Sequence, residues 1–125
     1  MELTSQHEDA RGKILFFSHG KMQINIVEVK KGFARGGHYH KYDQDHIMLS
    51  GTLEVRELDM KSNKETIKIV KSPSILQIPK MVAHLFIALE DTVFAETFEE
   101  RYEATNYPKY RKIIEDIMKK NENPK

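Results

Sequence analysis

Alternation of apolar and polar residues at every second position is the clearest pattern in this chain. It runs through four segments, residues 22–29, 52–58, 65–70 and 92–98. Short apolar runs occur at residues 13–17, 75–78 and 84–89. A period of two is typical of strands that bury one face, and Gly, Pro and Asn turn signals separate the segments. The pattern predicts an all-β sandwich or barrel built from many short strands.

The period changes near the C-terminal end of the sequence. Apolar side chains recur there at helical spacing, at Tyr110, Ile113, Ile114, Ile117 and Met118. Asn106 is a candidate cap for this helix, with Pro108 in its first turn and two lysines in its last turn. An amphipathic helix must cover an apolar surface, either on the barrel or on a partner subunit. We favour the outer face or the open end of the barrel.

Length and composition indicate a single domain. The chain has 125 residues, of which 39% are hydrophobic and 31% are charged, as is ordinary for a soluble globular protein. We expect three parts: a flexible N-terminal segment or edge extension at residues 1–12, a barrel at residues 13–100, and a C-terminal helix and tail at residues 101–125.

Charge and cysteine content exclude several classes of function. The net charge is +1, so no nucleic-acid partner is expected. The absence of cysteine excludes disulfides, thiolate catalysis and cysteine–zinc sites. The sequence has no apolar run long enough to span a membrane and no signal-peptide pattern at its start. These features predict a cytoplasmic protein without a membrane partner.

The candidate chemistry lies in a group of histidines. His38 and His40 are two residues apart, so on one strand their side chains point to the same side. Gln44 has the same parity and joins them if the strand continues. A third histidine, His84, follows Pro79 and begins a later strand. Two histidines from one strand and one from a distant strand can converge on a single metal ion.

The spacing around this pair resembles the first sequence motif of the cupins. Five positions carry the resemblance, Gly32, His38, His40, Gln44 and Gly51, with Gln44 in the place of the usual glutamate. It implies a double-stranded β-helix, the jelly-roll barrel of small single-domain RmlC-like cupins, followed here by the C-terminal helix. It also implies a homodimer.

The second cupin motif is matched only in part. Pro79 and His84 fit it, whereas Pro73, Met81 and Ala88 stand where glycine, glycine and asparagine are usual. With both motifs included, the resemblance covers residues 14–98.

The resemblance implies a divalent transition metal, which would be manganese, iron, nickel, copper or zinc. The expected ligands are His38, His40, Gln44 and His84. If a bulge shifts the register, Asp45 becomes the fourth ligand instead. We prefer Gln44, because it keeps the six-residue gap to Gly51. A neutral amide leaves more positive charge on the ion than a carboxylate does.

Three functions are compatible with these residues. The first is a metal-dependent enzyme acting on a small-molecule substrate, with dioxygenase- or isomerase-type chemistry. The second is a metal-free sugar-nucleotide ketoisomerase or epimerase. Residues 35–41 resemble a stretch of the cupin-type ketoisomerases, which implies that His38 and His40 act as acid and base and that Arg35 binds phosphate. The third is a non-catalytic cupin that binds a small ligand. The candidate catalytic residues are therefore Arg35, His38 and His40.

Overall fold

The structure, a computed structural model, describes residues 1–99 and 103–122. Its strands are β1 (Glu2–Asp9), β2 (Gly12–His19), β3 (Met22–Val29), β4 (Ala34–Tyr39), β5 (Gln44–Ser50), β6 (Thr52–Asp59), β7 (Glu65–Lys71), β8 (Ser74–Ile78), β9 (Val82–Ala88), β10 (Thr92–Phe98) and β11 (Thr105–Asn106). The helix α1 (Pro108–Glu122) follows them. The tail predicted beyond the helix lies outside the described residues.

The strands form two antiparallel sheets. One has six strands in the order β1-β2-β3-β10-β5-β8, and the other has five in the order β11-β4-β9-β6-β7. Strands that are distant in sequence are neighbours in both sheets, which is the arrangement of a jelly roll. The predicted all-β jelly-roll barrel with a C-terminal helix is confirmed.

The alternation seen in the sequence matches the inner face of the barrel. Every second residue of β3, β6 and β9 enters a core between the sheets that includes Val27, Val29, Leu53, Val55 and Phe86. Each of these side chains is at most 2% exposed. Burial of apolar surface at these positions holds the two sheets together.

The helix covers the outer face of the five-stranded sheet. Tyr110 and Ile114 pack there in a second apolar cluster, together with Ala34, Leu58 and Leu85. This agrees with the favoured interpretation of the amphipathic pattern. Leu58 is buried beneath the helix, on the face of β6 opposite to that of Leu53 and Val55.

The prediction that Asn106 caps the helix is wrong. Asn106 belongs to β11, where it pairs with His38 of β4. The carbonyl of Tyr107 instead accepts the first helical bonds, from the amides of Tyr110 at 3.1 Å and Arg111 at 3.0 Å. The backbone of Asn106 is held in strand pairing, so the helix begins after it.

The first residues of the chain form a strand. Residues 2–9 form β1, which pairs with β2 along its length. The strand is almost entirely exposed, so the sequence offered no alternation to reveal it. Backbone hydrogen bonds place it as an edge extension, the second option that its polar composition allowed.

The described helix has 15 residues, and no helix in residues 1–99 or 103–122 is long and apolar enough to cross a membrane.

Candidate metal centre

Three histidines meet at one point inside the barrel. Strand pairing places His38 of β4 opposite His84 of β9, and His40 follows just after β4 ends. One ring nitrogen from each of the three can be chosen so that all lie within 4.8 Å of one another. The ring centroids of His38 and His84 are 4.7 Å apart, and those of His38 and His40 are 4.9 Å apart.

A bulge in β4 brings a fourth residue to the same side of the sheet. The register opposite β9 shifts between Gly36 and His38, so one extra residue is inserted there. Ala34 faces the helix, Arg35 lines the interior cavity, and beyond the bulge His38 lines that cavity too. In a regular strand without the bulge, Arg35 and His38 would face opposite sides, because they are three residues apart.

The bulge depends on two glycines. Gly36 and Gly37 have φ angles of +104° and +77°, which other residues rarely adopt. A Cβ atom on Gly36 would lie 2.8 Å from the backbone oxygen of His84. A Cβ atom on Gly37 would lie 2.7 Å from Cδ of Arg111 on the helix. Strand β4 therefore approaches β9 and the helix closely only because Gly36 and Gly37 have no side chains.

Gln44 does not continue the histidine strand. That strand ends at Tyr39, and Gln44 begins β5 in the other sheet. Its side chain is nevertheless inside the barrel, with 1% exposure. Asp45, the alternative ligand, is the next residue of β5. It points outward and is exposed. Of the two candidates, only Gln44 is in position to face the interior.

A carboxylate outside the predicted ligand set fixes the Gln44 amide. Oε2 of Glu96, on β10, accepts hydrogen bonds from Nε2 of Gln44 at 3.1 Å and from Nδ2 of Asn25 at 3.2 Å. Oε1 of Gln44 is buried and has no hydrogen-bond partner among the described residues. The signal for Glu96 was present in the sequence, since an acidic residue occupies an inward position between Phe94 and Phe98.

Burial keeps the imidazoles neutral. It lowers the pKa of His38 to about 4, assisted by the nearby His40 and Arg111, and lowers the pKa of His84 well below its usual range. The pKa of His40 is also lowered by burial. Neutral imidazole is the form that binds metals.

One of these rings has a defined tautomer. Nδ1 of His40 lies 2.6 Å from the carbonyl oxygen of Glu103. A carbonyl only accepts hydrogen bonds, so Nδ1 carries the proton and donates it, and Nε2 is the nitrogen available to a metal. Tyr42 stacks on the same ring with centroids 5.0 Å apart, which further restricts its orientation.

Burial has the opposite effect on the carboxylate. It raises the pKa of Glu96 to about 7, against the opposing influence of its hydrogen bonds to Asn25 and Gln44 and of the charge of Arg35.

Arg35 is a buried cation in the cavity wall. Its residue is 6% exposed, and its Nε and Nη2 donate to the backbone oxygens of Glu28 and Gly12, each at 3.0 Å. Burial lowers its pKa to about 10, so it remains charged at neutral pH. Two backbone carbonyls hold the guanidinium in one orientation in the wall of the cavity that His38 and His84 also line.

The cavity itself has a volume of about 390 Å³. His38, His84, Arg35 and Glu96 line it together with four phenylalanines, Phe16, Phe86, Phe94 and Phe98. Asymmetric pockets of this kind, mostly apolar with a few polar groups, are typical of small-molecule sites.

Comparisons with known proteins give a fold and no close relative. No protein-family profile matches the sequence, and no curated protein matches it. Among solved structures, a deletion mutant of oxalate decarboxylase OxdC from Bacillus subtilis aligns with a TM-score of 0.73 and 20% identity, over 82% of this chain and 30% of that chain. CapF, the capsular polysaccharide assembling protein of Staphylococcus aureus, aligns with a TM-score of 0.68 and 19% identity, over 79% of this chain and 31% of that chain.

The chain has the cupin fold. The resemblance based on motif spacing is thereby confirmed for the fold. The chain spans less than a third of the length of the chains that it matches. At about 20% identity the likeness shows architecture only, so the chemistry must be argued from the residues in this cavity.

Gly36→Ala should destabilise the protein by about 2–4 kcal/mol, because the new Cβ meets a backbone oxygen and the φ angle is strained. Gly20→Ala is the matched control: Gly20 also has a positive φ, +60°, but nothing lies within 4 Å of a Cβ there. The control should lose only about 1 kcal/mol. Urea unfolding of both variants measures the difference, and equal losses would show that the close approach to β9 is unimportant.

Metal-free protein should lose stability as the pH falls from about 6.5 toward 4. An unfolded histidine has a pKa of 6.5, whereas burial lowers the pKa of folded His46 to about 3, so only the unfolded state takes up this proton in that window. His46 packs against Phe86 and Phe94 with ring centroids 5.0 and 5.6 Å away.

His46→Leu removes one group that only the unfolded state protonates in this pH range. The unfolding free energy of the variant should depend less steeply on pH, by about 1.4 kcal/mol per pH unit. Urea titrations of the wild type and the variant, each at about pH 6 and about pH 4.5, give the pH dependence of the unfolding free energy for both proteins. An unchanged slope would mean that His46 is not buried in its neutral form.

Proposed function

We propose that this cupin binds one divalent transition metal and uses it in the conversion of a small molecule held in the cavity. The observation that supports this most strongly is the convergence of His38, His40 and His84, whose chosen ring nitrogens lie within 4.8 Å of one another. Two nitrogens bound to one ion are at most about 4.2 Å apart, so small ring rotations would bring these three onto a metal.

Gln44 is the proposed fourth ligand. Its Nε2 is committed to Glu96, so the atom left for a metal is Oε1, which is buried and has no partner in the described part of the chain. A buried amide oxygen without a partner is unfavourable by about 1–3 kcal/mol, and an ion would satisfy it. The donor set of three imidazoles and one amide suits zinc, iron, nickel, copper or manganese.

The proposed ion would keep its full double charge, because every ligand is neutral. When bound, it supplies Lewis acidity toward a substrate carbonyl or hydroxyl group. The chain contributes the rest: Glu96 fixes the Gln44 amide, the Glu103 carbonyl fixes the tautomer of His40, and phenylalanines limit access of water. Such a centre is compatible with both dioxygenase-type and isomerase-type chemistry.

The metal-free sugar-nucleotide reaction is the weaker alternative. It requires one histidine of the pair to donate a proton. Burial lowers the pKa of His38 to about 4, so its acidic form is scarce at neutral pH. A non-catalytic cupin that binds a small ligand would use the same cavity. Only a measurement of substrate turnover distinguishes it from an enzyme.

The homodimer, the cytoplasmic location and the lack of a nucleic-acid or membrane partner remain predictions. Ile47 and Ile75 pair across β5 and β8, point outward and are 40% and 76% exposed. They would be among the first residues to examine in a test of dimer formation.

Protein purified without a histidine tag should contain close to one metal ion per chain by elemental mass spectrometry. His84→Ala should lose most of it, because two imidazoles bind a divalent ion far more weakly than three do. His19→Ala is the matched control, since His19 is exposed at the end of β2. Full metal content in the His84 variant would exclude a shared site.

The Gln44–Glu96 pair allows a sharper test of the fourth ligand. Gln44→Glu alone places two carboxylates side by side, so its metal-free form should lose stability. Exchanging the pair, Gln44→Glu with Glu96→Gln, restores the hydrogen bond and gives the metal an anionic ligand. The exchanged variant should bind zinc at least about tenfold more tightly than the wild type, because one ligand now opposes the charge of the ion.

Zinc affinity measured by competition with a chelating dye distinguishes the outcomes. Glu96→Gln alone is the control for the loss of the carboxylate. If the exchanged pair binds zinc no better than the wild type, the side chain at position 44 does not touch the metal.

A further inference from the structure

The cavity wall carries cationic side chains in addition to the histidines. Three arginines line it, Arg11 from the β1–β2 turn, Arg35 from β4 and Arg111 from α1. Arg11 is already neutralised, since its Nη2 lies 2.6 Å from Oδ2 of Asp9. Arg35 is farther from the same carboxylate, with 3.8 Å between Nη2 and Oδ1 of Asp9.

The guanidinium groups of Arg35 and Arg111 keep donors for a ligand. Arg35 uses Nε and Nη2 for backbone carbonyls, and its Nη1 makes no hydrogen bond to a described residue. Arg111 donates from Nη1 to the oxygen of Gly36 at 3.1 Å, and no carboxylate in residues 1–99 or 103–122 forms an ion pair with it. Guanidinium forks of this kind match the two oxygens of a carboxylate.

Aromatic and aliphatic side chains also line the cavity. Phe86 and Phe94 meet edge to face with centroids 5.3 Å apart and are 2% and 1% exposed. Phe98 and Val27 continue this surface. A ligand that fills the cavity therefore contacts both aromatic side chains and cationic donors, and Glu96 lines the same cavity.

We propose that the cavity binds a small organic acid, with its carboxylate on Arg35 near Arg111 and its apolar or aromatic body against the phenylalanines. As a substrate assignment this rests on the proposed metal-dependent function, but binding of the acid does not itself require the metal.

The register of the strands fixes how such an acid lies. Arg35 pairs with Phe86, and His38 pairs with His84. Residues two apart on a strand have Cα atoms about 7 Å apart, so the backbone of Arg35 lies about that far along the sheet from the His38–His84 pair. A carboxylate on Arg35 therefore directs the opposite end of a compact molecule toward the position proposed for the metal.

The test uses metal-free full-length protein and three probes of similar shape: benzoate, its neutral analogue benzamide, and the dianion phenyl phosphate. Dissociation constants come from titrations followed by NMR. We expect benzoate to bind at least about tenfold more tightly than benzamide, because its charge is paired with a desolvated guanidinium. Phenyl phosphate should bind more weakly than benzoate.

Three variants locate the effect. Arg35→Lys keeps the charge but loses the fork, and should weaken benzoate about tenfold while leaving benzamide unchanged. Arg111→Gln should weaken benzoate about threefold, and this loss should shrink at high salt. Arg56→Gln is the matched control, because Arg56 pairs with Glu54 and does not line the cavity. The Arg111 variant keeps the test decisive if the Arg35 variant fails to fold.

Several results would overturn the inference. Equal affinity for benzoate and benzamide would show that the arginines do not select an acid. Tighter binding of phenyl phosphate would assign the cavity to phosphate compounds. Benzoate binding that occurs only after zinc is added would place the carboxylate on the metal and not on Arg35. A protein that binds no metal but prefers benzoate would disprove the proposed function and leave this inference standing.

Discussion

The extra residue in β4 is the constraint on which the site depends. A regular strand turns successive side chains to opposite faces, so Arg35 and His38 would be separated by the sheet. The bulge at Gly36 and Gly37 places both side chains in the cavity while Ala34 still faces the helix. Glycine is required because β9 lies within van der Waals distance on one side and the helix on the other. One backbone irregularity therefore joins the cation to the histidines.

The Gln44–Glu96 pair changes the electrostatics of the same cavity. A carboxylate is present, but it lies on β10 and accepts a hydrogen bond from the side chain that occupies the expected ligand position. The negative charge is thereby set back from the histidines and shared with Asn25 and Arg35. An ion bound by neutral groups would attract an anionic ligand more strongly than one already opposed by a ligand carboxylate.

The sequence predicted the fold well because alternation and turn residues report directly on burial in a jelly roll. It also predicted that His38, His40 and His84 would meet, because strand parity places the first two on one side and the cupin resemblance includes the third. Gln44 was assigned to the interior for the wrong reason: it has the inward parity of its own strand, not of the histidine strand. The partnership with Glu96 was not visible, because it depends on which strands are neighbours, and that is decided by the global topology.

The pairing of β11 with β4 has a consequence for how the site is assembled. On one side, β9 supports the histidine strand; on the other, Asn106 pairs with His38 and the amide of Tyr107 donates to the oxygen of Gly37. These residues follow all ten longer strands in the chain. During synthesis, the barrel strands therefore leave the ribosome before the segment that closes the edge of β4. The histidine strand therefore lacks this second support until residues 105–107 have been synthesised, and a nascent chain without them would leave that edge of β4 unpaired.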